Sequence, residues 1–348
     1  MAIIMESRKK IIRLIFIPLI SVLVLTLVFV CVVAVLKKKT QDIPSVVHRV
    51  RMSTENSFGK QQYVVSYDGK DYYYNNHIKT YLYMGIDKEG PVEIQEGKNY
   101  AGGRSDTMFL LVTNEEDKTL SMISINRNSM ADVEVYSTDG TDMGVYNLQI
   151  CLQHAYGDGG KVSCQRSVDA VSRLFYDLPI SGYIAMNMGA IPGVNDAVGG
   201  VELEVLQTMK DKEKKVNLQE GEQVTLTGEE AYLYIRNRDD EVFDSATERL
   251  RRQEQYMGAF ARKLREVTAQ DPTSAARLYA AMESYTVTDL DAEEMITSLL
   301  GYSFNEQQIY TVPGETVMGE ELEEYHVDDA ALYELILSIF YKEGQTEG

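Results

Sequence analysis

Between Val216 and Arg262 the chain contains no lysine, yet Arg236, Arg238, Arg249, Arg251 and Arg252 all fall in this stretch. Cationic residues chosen only for solubility would mix the two types. Arginine presents a rigid fork of donors that matches phosphate oxygens in pairs and stays charged at any relevant pH, so the bias favours oxyanion recognition. Arg249, Arg252, Gln253 and Tyr256 follow the i, i+3, i+4, i+7 spacing of one helix face, while Leu250, Met257, Ala261 and Leu264 follow an apolar one. Two guanidinium groups and an amide therefore share a face in the first two turns, where free backbone N–H groups and the helix dipole also favour an anion. The competing reading is a solvated face paired with Glu248 and Glu254.

A second group comprises Gly85-Ile86-Asp87 and Gly102-Gly103-Arg104-Ser105-Asp106-Thr107, each at the edge of an apolar strand. Two aspartates at strand ends suit a hard divalent ion such as Mg²⁺, which takes few carboxylates and keeps positions for water and phosphate. Ordinary turn residues are the alternative. His48, His77, His154 and His326 are scattered and no Gly-x-Ser-x-Gly elbow occurs, so histidine-based nucleophilic schemes find no support.

The elements that must carry these residues read as an α/β domain. Tyr63–Tyr67 and Tyr72–Tyr74 flank Asp68-Gly69, a pair suited to the positive φ angles of a tight hairpin. Strands are expected at Met108–Thr113, Thr119–Ile125, Tyr183–Asn187, Val201–Val205 and Gln308–Val312. Helices are expected at Asn147–Tyr156, Ser167–Tyr176, Gly189–Val198, Ala292–Leu300 and Asp328–Tyr341. Thr227-Gly228-Glu229-Glu230 has the form of a capping box before a helix through Ile235. Ser245-Ala246-Thr247-Glu248 looks like the same device before a long helix to about Val267. Such alternation predicts a mixed central sheet flanked by helices, a single three-layer domain.

Residues 14–36 contain no charged side chain, and about 20 apolar residues suffice to cross a bilayer. The run is too long for a cleavable signal core, and Val33-Ala34-Val35-Leu36 is a poor cleavage site, so the segment reads as a retained anchor. The division expected is a cytoplasmic head at 1–13, an anchor at 14–36, a juxtamembrane linker and hairpin at 37–76, and the domain at 77–348. Arg8, Lys9, Lys10 and Arg13 nearly balance Lys37, Lys38 and Lys39, but a short basic head before a large domain reads as N-in, with the domain outside the cytoplasm. From residue 40 onward 27 basic side chains face 52 acidic ones, which disfavours a general nucleic-acid binder. Cys31 lies in the anchor, leaving Cys151 and Cys164 either as a bridge closing a short loop or as two unrelated thiols.

The order of motifs carries a resemblance. Gly85-Ile86-Asp87, Arg104-Ser105-Asp106-Thr107, Ser124-Ile125-Asn126-Arg127, Asn147 with Ala155-Tyr156-Gly157, Val198-Gly199-Gly200-Val201, Leu226-Thr227-Gly228-Glu229-Glu230-Ala231, Arg236-Asn237-Arg238 and Arg249-Leu250-Arg251-Arg252-Gln253 follow one another as in the LytR-CpsA-Psr cell-wall ligases. Each is weak alone; the series is specific. The sequence resembles that family over nearly all of its length beyond the anchor.

The resemblance implies transfer of a polymer such as teichoic acid or capsule from an undecaprenyl-pyrophosphate carrier to peptidoglycan, releasing the lipid phosphate. It implies that Asp87 and Asp106 position Mg²⁺, with Mn²⁺ as its substitute. Arg104, Arg127, Arg236, Arg238, Arg249, Arg252 and Gln253 would surround the pyrophosphate, with Arg127, Asp87 and Asp106 as the catalytic set. Apolar helix faces would house the polyprenyl chain, while Arg251, at a variable position, would stay outside. Three departures stand out: Asn126-Arg127-Asn128 replaces the usual Pro-Arg-Asp, Ala246 replaces an aspartate before the first helix arginine, and Ser181-Gly182 replaces Ile-Asp before Tyr183. Asparagine can orient neighbours but cannot accept a proton, which keeps a weakly catalytic carrier-binding or regulatory protein as one rival expectation; the other is a lipid-pyrophosphate hydrolase using the same site with water as acceptor.

Overall fold

The computed structural model describes residues 52–55, 61–239, 241–292, 294–295 and 300–344. The expected head and anchor at 1–36 lie outside the described residues, and among those described no helix is long and apolar enough to cross a membrane.

Six strands form the central sheet: β1 (Ile78–Ile86), β2 (Ser105–Asn114), β3 (Thr119–Ser124), β4 (Gly182–Asn187), β5 (Thr286–Thr288) and β6 (Ser303–Thr311). Their spatial order is β5-β4-β1-β2-β3-β6. The β4–β1 and β3–β6 pairs are parallel and the other three antiparallel, so the sheet is mixed, as expected. The described helices that matter here are α1 (Leu152–Ala155), α2 (Lys161–Leu174), α3 (Ile191–Ala197), α4 (Gly228–Arg236), α5 (Ser245–Gln270), α6 (Thr273–Met282) and α7 (Asp329–Phe340).

The strands are apolar almost throughout because helices cover both faces. On β2, Met108, Leu110 and Val112 enter a core shared with Val168 and Val171 of α2 and with Leu332, Ile336 and Phe340 of α7. Phe109 and Leu111 point the other way. On β4, Tyr183 and Ala185 join the first core, while Ile184 and Met186 join residues of α3 to α6. This alternation, with period two along each strand, makes one sheet between two helical layers.

Asp68 and Gly69 have φ of 48° and 74°, as the tight hairpin turn requires. The hairpin's second strand, Lys70–Tyr74, pairs with Tyr341–Glu343, and the Tyr67 ring lies 5.3 Å from Tyr333 on α7. The tyrosines pack the hairpin against the end of the chain.

Several expected elements differ. The helix expected at Asn147–Tyr156 is a strand, Asp142–Gln149, paired with Met130–Tyr136, followed by the single turn α1. Cross-strand hydrogen bonds to a partner at a distance in sequence override the local helical pattern. Ser245 does not cap α5: the cap position is Asp244, left-handed at φ 60°, whose carboxylate accepts the Thr316 hydroxyl and whose N–H donates to Glu323 at 2.7 Å. The helix runs on to Gln270. Most of the helix expected at Ala292–Leu300 falls outside the described residues.

The other capping box is present. The N–H of Glu230 donates to Thr227 Oγ1 at 3.4 Å, and the N–H of Thr227 donates to Glu230 Oε2 at 2.8 Å. Thr227→Ala is expected to lower the unfolding free energy by about 1 kcal/mol, measured by urea denaturation; an unchanged midpoint would show that the box contributes nothing.

Candidate active site: a carboxylate shared by two buried arginines

The C-terminal ends of β1 and β3 and the N-terminal end of β2 meet at one end of the central strands, and they carry Asp87, Arg127 and the pair Arg104 and Asp106. At the start of β2, Asp87 and Arg104 clasp each other. The Arg104 N–H donates to Asp87 Oδ1 at 2.7 Å, its Nε donates to Oδ2 at 3.0 Å, and the Asp87 N–H donates to the Arg104 carbonyl at 3.0 Å. Arg104 is half-exposed.

Asp106 is the hub. Its Oδ1 lies 2.8 Å from Nη1 of Arg127 and its Oδ2 accepts Nη1 of Arg249 at 3.1 Å. All three side chains are about one-tenth exposed or less. One carboxylate between two guanidinium groups leaves a net positive charge in a buried place, where an uncompensated charge is costly. Nε of Arg127 and Nη2 of Arg249 are buried and have no hydrogen-bond partner. Such orphaned donors call for an acceptor, and two guanidinium groups suit a phosphate.

Burial works against the charge of Arg127, but the Cys151 sulfur and the Asp106 carboxylate outweigh it and raise its pKa. Burial dominates at Arg249 and lowers its pKa, with Asp106 opposing and Arg127 and Arg238 adding to the fall. Arg238 thus lies within electrostatic reach of Arg249. Arg236 is half-exposed, 3.7 Å from Glu89, which also accepts the Tyr232 hydroxyl at 2.9 Å.

Arg252 and Gln253 are buried beside this group but face the chain itself. Nε of Arg252 donates to the Tyr234 carbonyl at 3.0 Å, and its two Nη groups donate to Gln207 Oε1 and the Asn237 carbonyl. Gln253 Nε2 donates to the Ile235 carbonyl at 3.2 Å. Both therefore close the C-terminal end of α4, whose carbonyls have no helical partner, and so fix the segment Arg236-Asn237-Arg238. Burial pushes the Arg252 pKa down to about 10. The exposed Arg251 pairs with Glu248 at 2.8 Å, away from the buried group.

An apolar cavity adjoins the arginines. Met186, Met188, Met257, Phe260, Leu278 and Met282 are among its walls, and among the described residues its charged lining is Asp106, Arg236 and Arg249. Gln253 also reaches it; Arg252 does not line it.

Asp87 and Asp106 fit a divalent cation in chemistry. Both Asp87 oxygens and Asp106 Oδ2 each accept one hydrogen bond, while Asp106 Oδ1, buried and 2.8 Å from Nη1 of Arg127, accepts none, and both carboxylates act on the charge of Arg127. Gly103, at φ +76°, keeps Asp87 Oδ1 open, since a Cβ there would stand 2.9 Å from it. Among the described residues no group of three or more His, Cys, Asp or Glu side chains could cage an ion, so its other ligands would be phosphate and water.

Sequence reasoning overlooked the second ring of contacts. Glu89 holds Arg236, Thr247 accepts Asn126 Nδ2 at 3.1 Å, and Cys151 Sγ accepts Nη2 of Arg127 at 3.1 Å. Only Glu89, two residues after Asp87, had a positional signal. Cys151 and Cys164 are both buried free thiols, which settles the open question of a bridge. Cys164 Sγ instead lies 3.9 Å from Nε2 of His154.

The fold and site together define an α/β protein with a buried pair of guanidinium groups bridged by a carboxylate beside an apolar cavity. Residues 45–336 match the LytR_cpsA_psr family, and the chain belongs to it. A polyisoprenyl-teichoic acid–peptidoglycan teichoic acid transferase TagU of Halalkalibacterium halodurans is 32% identical over 39% of this chain and 40% of its own. The protein of the same name from Bacillus cereus is 26% identical over 73% of this chain and 75% of its own. Among solved structures, B. subtilis TagV (TM-score 0.56, 23% identity) covers 76% of this chain and 96% of its own. TagT bound to LI-WTA (TM-score 0.54, 22% identity) covers 76% and 90%. The two structures share the fold.

His154 holds the loop that presents Arg104, its Nδ1 standing 3.1 Å from the Gly103 carbonyl. Gly102 is obligatory there, since a Cβ would stand 1.8 Å from the His154 carbonyl oxygen. Burial pushes the His154 pKa down to about 4, below the unfolded value of about 6.5. The unfolded chain then binds the proton first, so stability is intact above pH 6.5 and falls as the pH drops toward 4. By pH 4.5 this one residue is expected to cost about 2–3 kcal/mol. Urea denaturation at pH 7.5 and 4.5 should show a smaller difference for His154→Gln than for the native chain; equal differences would refute the assignment.

Proposed function

We propose that this chain is a phosphotransferase that moves a glycopolymer, such as teichoic acid, capsule or another secondary wall polymer, from an undecaprenyl-pyrophosphate carrier to peptidoglycan. The observation that carries the reading is the Asp106-bridged pair of buried arginines, with Nε of Arg127 and Nη2 of Arg249 unpartnered beside an apolar cavity. Family membership and the transferase relatives support the same chemistry.

The cavity takes the polyprenyl chain and the arginines take the pyrophosphate at its charged end. An acceptor hydroxyl attacks the phosphorus next to the sugar polymer, a new P–O bond forms, and the bridging P–O bond breaks to release undecaprenyl phosphate. The acceptor's proton leaves with solvent. Arg127, Arg249, Arg236 and Arg238 neutralise the charge that accumulates on the transferred and leaving phosphates. Asp106 holds the two central guanidinium groups apart at a fixed spacing, and Arg104 is steered by Asp87. Asp87 and Asp106 would also hold Mg²⁺ or Mn²⁺, which when bound supplies further positive charge to the phosphate oxygens. The acidic domain would face the extracytoplasmic side, behind a single N-in anchor.

Asn128 favours a second reading. It is buried, its N–H donates to Asn126 Oδ1 at 2.9 Å, and no carboxylate stands at that position to take a proton. A carrier-binding protein with little turnover would need none.

With Mg²⁺, a teichoic-acid-bearing undecaprenyl pyrophosphate and peptidoglycan, the full-length chain is expected to attach polymer to the wall. Arg127→Ala should lower the rate by about a hundredfold or more, the scale of losing a transition-state donor. Chelation of divalent ions should abolish transfer and added Mg²⁺ restore it. Carrier binding without turnover would overturn the ligase reading, and release of free phosphorylated polymer would make the protein a hydrolase.

A further inference from the structure

Cys151 is wholly buried, one residue before α1, and each of its polar groups reaches the framework of the site. Its N–H donates to the Arg127 carbonyl at 3.2 Å, and its carbonyl accepts the Ser105 N–H at 3.1 Å. Ser105 stands between Arg104 and Asp106. Cys151 Sγ accepts Nη2 of Arg127 at 3.1 Å. One residue thus ties the chain just after β3 to the start of β2, the two places that supply the central arginine and its carboxylate.

The chemistry of sulfur matters here. Nη1 of Arg127 faces Asp106 and Nη2 faces Cys151, so two of its three nitrogens are held and the guanidinium plane is fixed. A second carboxylate at this place would fix it equally well, but it would cancel the positive charge that Asp106 leaves over. A neutral thiol is a weak acceptor that orients without neutralising. Burial raises the Cys151 pKa, with Arg127 opposing, so the neutral thiol is the resting form.

We propose that Cys151, through its sulfur, is a positioning residue for Arg127, holding Nε of that arginine free for the pyrophosphate; the proposal rests on the function set out above. The backbone bonds of Cys151 do not depend on its side chain, so substitutions there isolate the sulfur contact. Cys164 is an equally buried thiol whose sulfur faces Nε2 of His154 at 3.9 Å, and it serves as the control.

The test is steady-state transfer by the full-length chain, comparing Cys151→Val, Cys151→Ser, Cys164→Val and Arg127→Ala. Calorimetric stoichiometry with farnesyl pyrophosphate counts the folded, binding-competent fraction of each. Per competent molecule, Cys151→Val is expected to lower kcat about tenfold with KM changed less than about twofold, the pattern of a contact that matters in the transition state. Cys151→Ser, which keeps an acceptor, should recover most of the loss, and Cys164→Val should match the native chain. A native kcat in Cys151→Val, or no recovery in Cys151→Ser, while Arg127→Ala is inactive, would overturn the positioning role alone. A native rate in Arg127→Ala would bring down the reading of the site itself.

Discussion

A single carboxylate held between two buried guanidinium groups is the constraint around which this molecule is arranged. Asp106 is the second residue of β2, Arg127 comes from the chain just after β3, and Arg249 from the second turn of α5. Without Asp106 the two cations would repel each other in a place with little water. With it, the trio keeps one positive charge in excess, a costly state in a buried place that an anion would relieve. The site is built to be finished by its ligand.

The rest of the fold serves that geometry. Antiparallel pairing brings the end of β1 beside the start of β2, which makes the Asp87–Arg104 clasp a product of strand register. Arg252 and Gln253 close the end of α4 and so anchor its last residue Arg236 and the following Arg238. The same helix, α5, presents Arg249 to Asp106 and the cavity mouth, Arg252 to backbone carbonyls and Met257, Phe260 and Ala261 to the cavity. One rigid rod therefore sets the distance between charged and apolar parts of the site, as a lipid-linked pyrophosphate requires.

Features encoded by near neighbours were legible in the sequence. The hairpin turn at Asp68-Gly69, the capping box at Thr227 and the clustered face Arg249, Arg252 and Gln253 follow from local spacing, and all are present. What depends on a remote partner was not legible. Residues 147–149 became strand because Met130–Tyr136 pairs with them, and Asp244 displaced Ser245 as the cap because Thr316 and Glu323 hold it. Arg252 is the most instructive case, since a guanidinium fork matches converging backbone carbonyls as well as phosphate oxygens, and spacing alone cannot tell the two apart. The Cys151–Arg127 contact spans 24 residues and leaves no pattern in the sequence.

The central claim is that the orphaned donors of the arginine pair meet a pyrophosphate. A crystal structure of the protein with farnesyl pyrophosphate tests it most directly. Phosphate oxygens should lie about 2.7–3.1 Å from both Nε of Arg127 and Nη2 of Arg249, with the prenyl chain in the cavity lined by Met257 and Phe260. A pyrophosphate bound elsewhere, with those two N–H groups still unpartnered, would contradict the account.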